Sequence, residues 1–546
     1  MNFIEHESAE KLRGAYYTPA PVAALLSRWV LAARPRRVLE PSCGDGAFVQ
    51  AIAAAPGPRP ALLAFEIDPA EAAKARAAWS PGPGEVRAED FLAWALAERG
   101  APPAVDGVLG NPPYVRYQYM SEQSQRCAEA LLVGQGLPFT RHVNLWVPFL
   151  VGALERLAPG GRLGLVIPSE LLVVLHAAAA RLALLQHSAR LLILDPELLL
   201  FDGALQGALL LFVEKNAGDA KPADHIRVLR LSGAAFLGED PEALFAQASP
   251  APAPPKGEKW TTALLSPAER ALLTAVEVPR LASLARAGVG IVTGANHFFL
   301  VDDETAQSRG LGAYAHPMFG RSDHVPGVIF DEAQLEANRA RGLPCRFLYF
   351  PAEAALSPAA QTYVNEGEAS GLHRRTKCRV RTPWYTVPSV SAAPLALLKR
   401  CHELPRLVRN RLGAYTTDTA YRLWPHDPAQ SDALVGGFVN SLTALSAELE
   451  GRSYGGGVLE LVPSELARLR VPARPEQAAR LGPLDRALRE KTPIDAILDE
   501  QDAAVLGGIG LNAAERACVR GAWARLRDRR QRSPAVEGPP SSPPEP

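Results

Sequence analysis

The constraint that most limits the fold lies between residues 38 and 48. Val38-Leu39-Glu40-Pro41-Ser42-Cys43-Gly44-Asp45-Gly46-Ala47-Phe48 reads as a short apolar strand, a glycine loop and the start of an alanine-rich helix. The alternation continues to about Glu214, ending on the strand-like Ala208-Leu209-Leu210-Leu211-Phe212-Val213, with one more strand at Ile226 to Leu231. Alternating β and α segments imply a mostly parallel sheet with helices on both faces and a ligand at the strand carboxyl ends. The expected class is α/β and Rossmann-like.

The loop has the wrong charge for a dinucleotide. A phosphate cradle needs bare backbone N–H groups at a positive helix end. Here Glu40 and Asp45 put carboxylates in the loop, beside Ser42, Cys43, Gly44 and Gly46. That suits a cation such as the sulfonium and amino group of S-adenosylmethionine. Twenty residues after Gly46 comes Glu66, within Phe65-Glu66-Ile67-Asp68-Pro69 at the end of an apolar run. An acid at that offset is placed for ribose hydroxyls. In Glu89-Asp90-Phe91 a third acid and a ring are placed for an adenine amino group and its base.

The fourth strand end, Val108-Leu109-Gly110, delivers Asn111-Pro112-Pro113-Tyr114. Each proline fixes its own φ and pushes the residue before it into extended geometry. The Asn111 amide and the Pro112 carbonyl can then be held as two outward acceptors. Two acceptors that take both protons of a ring-conjugated amino group favour a tetrahedral nitrogen with an available lone pair. Tyr114 offers a face on which the ring can stack. Read alone, the tetrapeptide is also consistent with a plain Pro-Pro turn after a strand.

With loop, Glu66, Asp90 and Asn111 at successive strand ends, the chain resembles the gamma-class, TaqI-like adenine-specific DNA N6-methyltransferases of restriction–modification systems. That class has a cofactor motif ahead of the first strand, matched by Gly14-Ala15-Tyr16-Tyr17-Thr18-Pro19. Later motifs are matched by Asn144-Leu145-Trp146 and by 159–168. The resemblance implies S-adenosylmethionine held by Tyr17, Thr18, Pro19, Glu40, Ser42, Cys43, Gly44, Gly46, Glu66, Ile67, Asp90, Phe91, Asn111 and Phe149. It implies a flipped adenine at Asn111, Pro112, Pro113 and Tyr114, with Phe201 as a second aromatic; Asp202 follows Phe201 where the family often has Pro. It extends through Arg381-Thr382-Pro383-Trp384-Tyr385, Arg406-Leu407-Val408-Arg409-Asn410 and 455–459. The implied architecture is a class I S-adenosylmethionine-dependent methyltransferase domain followed by a mixed α+β target-recognition domain. The implied partners are duplex DNA and a separately encoded restriction endonuclease, with no metal and no membrane.

Net charge over the 546 residues is zero, so only its distribution is informative. From Gly371 to Arg411 ten Lys/Arg face one acid, Glu403. Arg374, Arg375, Lys377, Arg379, Arg381, Arg406 and Arg409, interleaved with Trp384 and Tyr385, read as a DNA surface, against the alternative of an ordinary solvated face. Six scattered cysteines without a C-x-x-C pair argue against a zinc site or disulfide framework and for a reducing cytosol. The acidic N-terminus has no apolar core of a signal peptide, and the stretch Leu171 to Ser188 reads as one buried amphipathic helix rather than a membrane span. Composition divides the chain into a catalytic domain (1–245), a proline-rich linker (246–262), a target-recognition domain (263–475), a helical segment (476–529) and a disordered tail (530–546). Three rivals remain. A protein-glutamine methyltransferase would need neither Phe201 nor the long basic region. An RNA adenine methyltransferase could use the same chemistry. A non-catalytic specificity subunit would have lost Asn111 or the cofactor acids.

Overall fold

The computed structural model describes residues 18–102, 104–197, 207–217, 223–255, 257–353, 355–454 and 457–531. The chain divides into two compact units, one running to Arg270 and the other built from Ala271–Ser453 and Gly457–Gln531.

The first unit is built on a nine-stranded sheet: β1 (Arg37–Glu40), β2 (Ala61–Phe65), β3 (Gly84–Arg87), β4 (Val105–Gly110), β5 (Leu157–Pro168), β6 (Ser188–Pro196), β7 (Ala208–Lys215), β8 (His225–Leu231) and β9 (Pro250–Pro252). Their spatial order is β3-β2-β1-β4-β5-β7-β6-β8-β9. Strands β3 to β5 across the row are parallel, and β7 runs antiparallel between β5 and β6. Alternate residues face opposite cores. Leu39, Leu63, Val108 and Leu165 enter one apolar cluster, while Val38, Leu62, Leu109 and Val166 enter the other. Both faces are therefore covered, as a parallel sheet requires. The helices that matter for the site are α1 (Ala20–Leu31), α2 (Ala47–Ala54), α3 (Pro69–Trp79), α4 (Phe91–Ala97), α5 (Glu122–Gly134) and α6 (Trp146–Arg156). The order reverses direction at β1 and β4. This is the switch point where open α/β sheets hold ligands.

Three expectations change here. Residues 171–188 are not one helix: Val174 is extended (φ −111°, ψ 142°) between the short helix Glu170–Val173 and the helix Ala178–His187. The buried Arg181 guanidinium stabilises that break by donating to the carbonyls of Leu171 (2.9 Å) and Val174 (2.8 Å). The proline-rich segment expected as a linker supplies β9, antiparallel to β8, and Trp260 in the core. Proline is tolerated there because an edge strand leaves one row of N–H groups unpaired anyway. Arg530, expected as the first residue of the tail, is buried in an ion pair with Glu448 (2.8 Å), and 532–546 lie outside the described residues.

The second unit carries a five-stranded sheet in the order Ala285–Val289, Ala420–Pro425, Leu395–Leu398, Leu407–Asn410, Ile329–Phe330. Phe298, Phe299, Phe347, Phe350 and Trp384 fill its largest aromatic cluster. The helices Leu481–Arg489, Ile494–Gln501 and Ala513–Arg530 belong to this unit. Asp485 accepts from the backbone N–H groups of Val328 (2.7 Å) and Ile329 (2.9 Å), which pins the first of them to the sheet edge. Among the described residues no helix is long and apolar enough to cross a membrane.

Candidate active site

At the end of β1 the chain turns through Gly44 (φ 51°) and Gly46 (φ 92°), a left-handed conformation that favours glycine. A Cβ on Gly46 would also meet Ala75 Cα of α3 at 3.0 Å, so the loop lies directly on that helix. Glu66, at the end of β2, ties the two loops together. Its carboxylate accepts from Gly44 N–H (2.9 Å) and from Asp68 N–H (3.0 Å). Cys43 N–H completes the tie to Phe65 C=O at 2.9 Å.

These loops frame a cleft of about 530 Å³. Among the described residues its wall holds seven acids (Glu40, Asp45, Glu66, Asp68, Glu71, Glu89 and Asp90) and no lysine, arginine or histidine. Glu40 is 1% exposed, and neither carboxylate oxygen has a hydrogen-bond partner among the described residues. Burial, with Asp45 and Glu66 adding repulsion, pushes its carboxyl well above the usual range. A buried unpaired carboxylate is costly, and a cation removes the cost. The donor set therefore fits S-adenosylmethionine, which carries a sulfonium and an ammonium, and disfavours a pyrophosphate. Further along the wall, Asp90 caps α4 through Leu92 N–H (2.9 Å), and Phe91 packs on Phe149 (ring centroids 5.2 Å). Ile67 stands 70% exposed beside them, an apolar surface ready for a ring.

Strand β4 delivers Asn111 to the same cleft. Its amide is oriented by neighbours: Nδ2 donates to Thr18 Oγ1 (3.2 Å), and Oδ1 accepts from the Tyr114 hydroxyl (2.9 Å). Ser42 Oγ donates to the Asn111 carbonyl (3.2 Å), joining the β1 loop to the tetrapeptide. The segment beyond is secured by Leu145 N–H to Val115 C=O (2.9 Å) and by Glu170, which accepts from Trp146 Nε1 (3.2 Å) and Asn144 Nδ2 (3.4 Å).

Thr18, Glu40, Ser42, Cys43, Gly44, Glu66, Ile67, Asp90, Phe91, Asn111, Pro113 and Phe149 thus share one wall. Pro19 stands aside as the residue that starts α1, Gly46 sits behind the loop against α3, and Pro112 is buried. Tyr114 is half-buried against the core. Tyr17 and Phe201 lie outside the described residues. The sequence reading missed Asp68, Glu71 and Ser124 on this wall. Asp68 was recoverable, because Asp-Pro after a strand is a helix start and its side chain does cap α3. Ser124 carried no signal, since it arrives on a helix rather than at a strand end.

The expected DNA residues separate into two groups. Arg374, Arg375, Lys377 and Arg379 are exposed, with no ion pair to an acid among the described residues. The others are engaged within their own unit. Arg381 donates to the carbonyls of Thr293 (2.7 Å) and Val292 (2.8 Å). Trp384 is buried with its indole on Glu368 (3.0 Å), and Tyr385 packs edge-on against it. Arg406 donates to Gly327 C=O (3.3 Å), and Arg409 pairs with Asp432 (2.7 Å). The five hold loops and strands in place within the unit, which the four exposed cations do not.

Strand order and acidic cleft define the fold of the S-adenosylmethionine-dependent methyltransferases. Residues 85–195 match the model described as "Eco57I restriction-modification methylase", and 257–506 that of "Type II methyltransferase M.Eco57I, C-terminal domain". Type II methyltransferase M.XamI of Xanthomonas campestris pv. amaranthicola is 27% identical over 489 residues, 84% of this chain and 85% of that protein. Type II methyltransferase M.AccI of Acinetobacter calcoaceticus is 23% identical over 483 residues, 85% of each. Among solved structures, the type IIL restriction-modification enzyme MmeI in complex with DNA shares the fold at TM-score 0.55 and 12% identity, over 95% of this chain and 80% of that one. Over most of its length the chain is thus similar to type II methyltransferases.

Proposed function

We propose that the chain methylates the exocyclic N6 amino group of adenine in duplex DNA and serves as the modification enzyme of a restriction–modification system, its endonuclease being a separate polypeptide. The observation that carries this reading is Asn111: an amide fixed by Thr18 at the end of β4, opening on a cleft whose charged side chains, among the described residues, are all acids. Glu40 and Asp45 would hold the cationic end of S-adenosylmethionine, Glu66 its ribose, and Asp90, Ile67 and Phe149 its adenine. When bound, that cofactor supplies an electrophilic methyl group.

The chain's own residues do the rest by positioning. Asn111 Oδ1 and the Pro112 carbonyl accept the two amino protons and leave the nitrogen lone pair directed at the cleft. Oδ1 now accepts from the Tyr114 hydroxyl, so the target amino group replaces that bond with one of its own. The Tyr114 ring stacks on the flipped base, with Phe201 as the second aromatic. The names of the relatives, each a type II methyltransferase, support the DNA reading over the glutamine and RNA alternatives.

The test is methyl transfer in vitro from labelled cofactor to duplex DNA, followed by nucleoside analysis. Wild type yields N6-methyladenine. Asn111→Ala loses an acceptor that matters mainly in the transition state and slows turnover about 10²-fold or more, with cofactor binding little changed. Near-normal turnover of the variant would remove Asn111 from the mechanism.

A further inference from the structure

Large exposed apolar side chains in the first unit are few among the described residues: Ile67, Tyr119 and Val133. Ile67 belongs to the cofactor cleft. Tyr119, 58% exposed, stands five residues beyond Tyr114 and belongs to no function described so far. It lies on the 3₁₀ turn Tyr117–Tyr119, which is held firmly: Tyr119 N–H donates to Arg116 C=O (2.9 Å), and Gln125 Nε2 of α5 donates to the carbonyls of Tyr117 (3.0 Å) and Met120 (3.3 Å). A large ring displayed on a fixed backbone loses little entropy when it meets a partner.

Basic side chains stand on the two segments beside it. Arg116, Arg141 and His142 are all exposed. The two segments that carry them are joined by a backbone bridge between Arg116 and Asn144, by Leu145 N–H to Val115 C=O, and by the Tyr117 ring on Phe139 (5.9 Å). Of the acids nearby, Glu122 faces Arg126 at 3.6 Å, Glu129 lies further along α5, and Glu170 attracts Arg116. Arg116, Arg141 and Tyr119 thus form one rim, and Leu145, in the same pairing, lines the cleft wall.

We propose that this rim is a DNA contact carried by the catalytic unit itself: Arg116 and Arg141 take backbone phosphates next to the target nucleotide, and Tyr119 stacks on a base exposed when that nucleotide leaves the helix. The inference rests on the reading of the chain as a DNA methyltransferase. Cations beside an aromatic platform are the recognition chemistry of nucleic acid with unstacked bases. Flipping leaves such bases next to the gap.

Single-turnover transfer on a duplex bearing the enzyme's modified sequence tests it. Tyr119→Ala should slow transfer about tenfold on the paired duplex and much less when the target adenine faces an abasic site, where little unstacking is required. Tyr119→Phe, which keeps the ring, should behave as wild type on both. The double variant Arg116→Gln, Arg141→Gln should reduce the slope of log K against log salt by about 1.8 on ordinary duplex DNA, two phosphates at 0.9 each. Equal slowing on paired and abasic substrates, no slowing at all, or an unchanged salt slope would overturn the proposal. Wild-type transfer to the paired duplex, measured alongside, reports on the DNA methyltransferase reading separately: its absence would sink that reading, whereas its presence with an inert Tyr119 would sink only the inference.

Discussion

Glu40 is the residue at which the cofactor's charge is most directly demanded. Its carboxyl is raised by burial and by Asp45 and Glu66, so without a cation the folded unit favours the protonated form. The sign follows. The empty unit is stabilised at low pH and loses that stability as pH rises from the ordinary carboxylate range toward the raised value. A cationic ligand needs the ionised form, so its affinity climbs over the same window. Calorimetric titration with S-adenosylmethionine should show tighter binding and less proton release as pH increases. Glu40→Gln should weaken binding about tenfold or more and flatten the pH dependence, leaving the share due to Asp45, whose carboxyl is also raised. Unchanged affinity in the variant would mean the acid faces something other than the cofactor. Glu40, Glu66 and Asn111 were legible in the sequence because each ends an apolar strand, where position along the chain alone places the side chain. Trp384, Arg406 and Arg409 were not, because their roles depend on Glu368, Gly327 and Asp432, partners that no local pattern announces.

Among the elements, residues 170–187 show how one side chain can override periodicity. The apolar pattern asks for a continuous helix, yet Val174 leaves the helical region and Arg181 bonds the carbonyls released by the break. Arg181→Leu roughly keeps the volume but takes the donor from the Leu171 carbonyl, while Val174 C=O keeps Ala177 N–H (3.4 Å), at about 1–3 kcal/mol for the one buried acceptor left unsatisfied. Thermal unfolding should show a clearly lowered midpoint, whereas a midpoint within a degree of wild type would mean the break does not depend on the guanidinium. The sheet explains the other element that was misread. Proline density in 246–262 suggested a connector, but β8 still offered an open edge, and Ala251 opposite Ile226 closes it. Composition could not show that edge. The parallel run β3-β2-β1-β4-β5 was legible, since its strands recur with helices between them.

For the whole molecule, chemistry and DNA engagement have to be read together. Arg374, Arg375, Lys377 and Arg379 are exposed cations of the second unit's basic segment with no ion pair to an acid among the described residues, unlike Arg400 and Arg411, and replacing all four with glutamine should weaken binding to any duplex. The salt slope should fall by about 0.9 for every phosphate no longer neutralised, up to about 3.6. An unchanged slope would leave this segment a solvated face. The central claim, that the cleft and Asn111 act on adenine at a site chosen by the rest of the chain, is most directly tested by mapping modified bases along DNA from cells that express the protein in an otherwise unmethylated host. N6-methyladenine should occur at nearly every copy of one short sequence and vanish with Asn111→Ala. Unmodified DNA, N4-methylcytosine in place of N6-methyladenine, or modification scattered without a common sequence would contradict it.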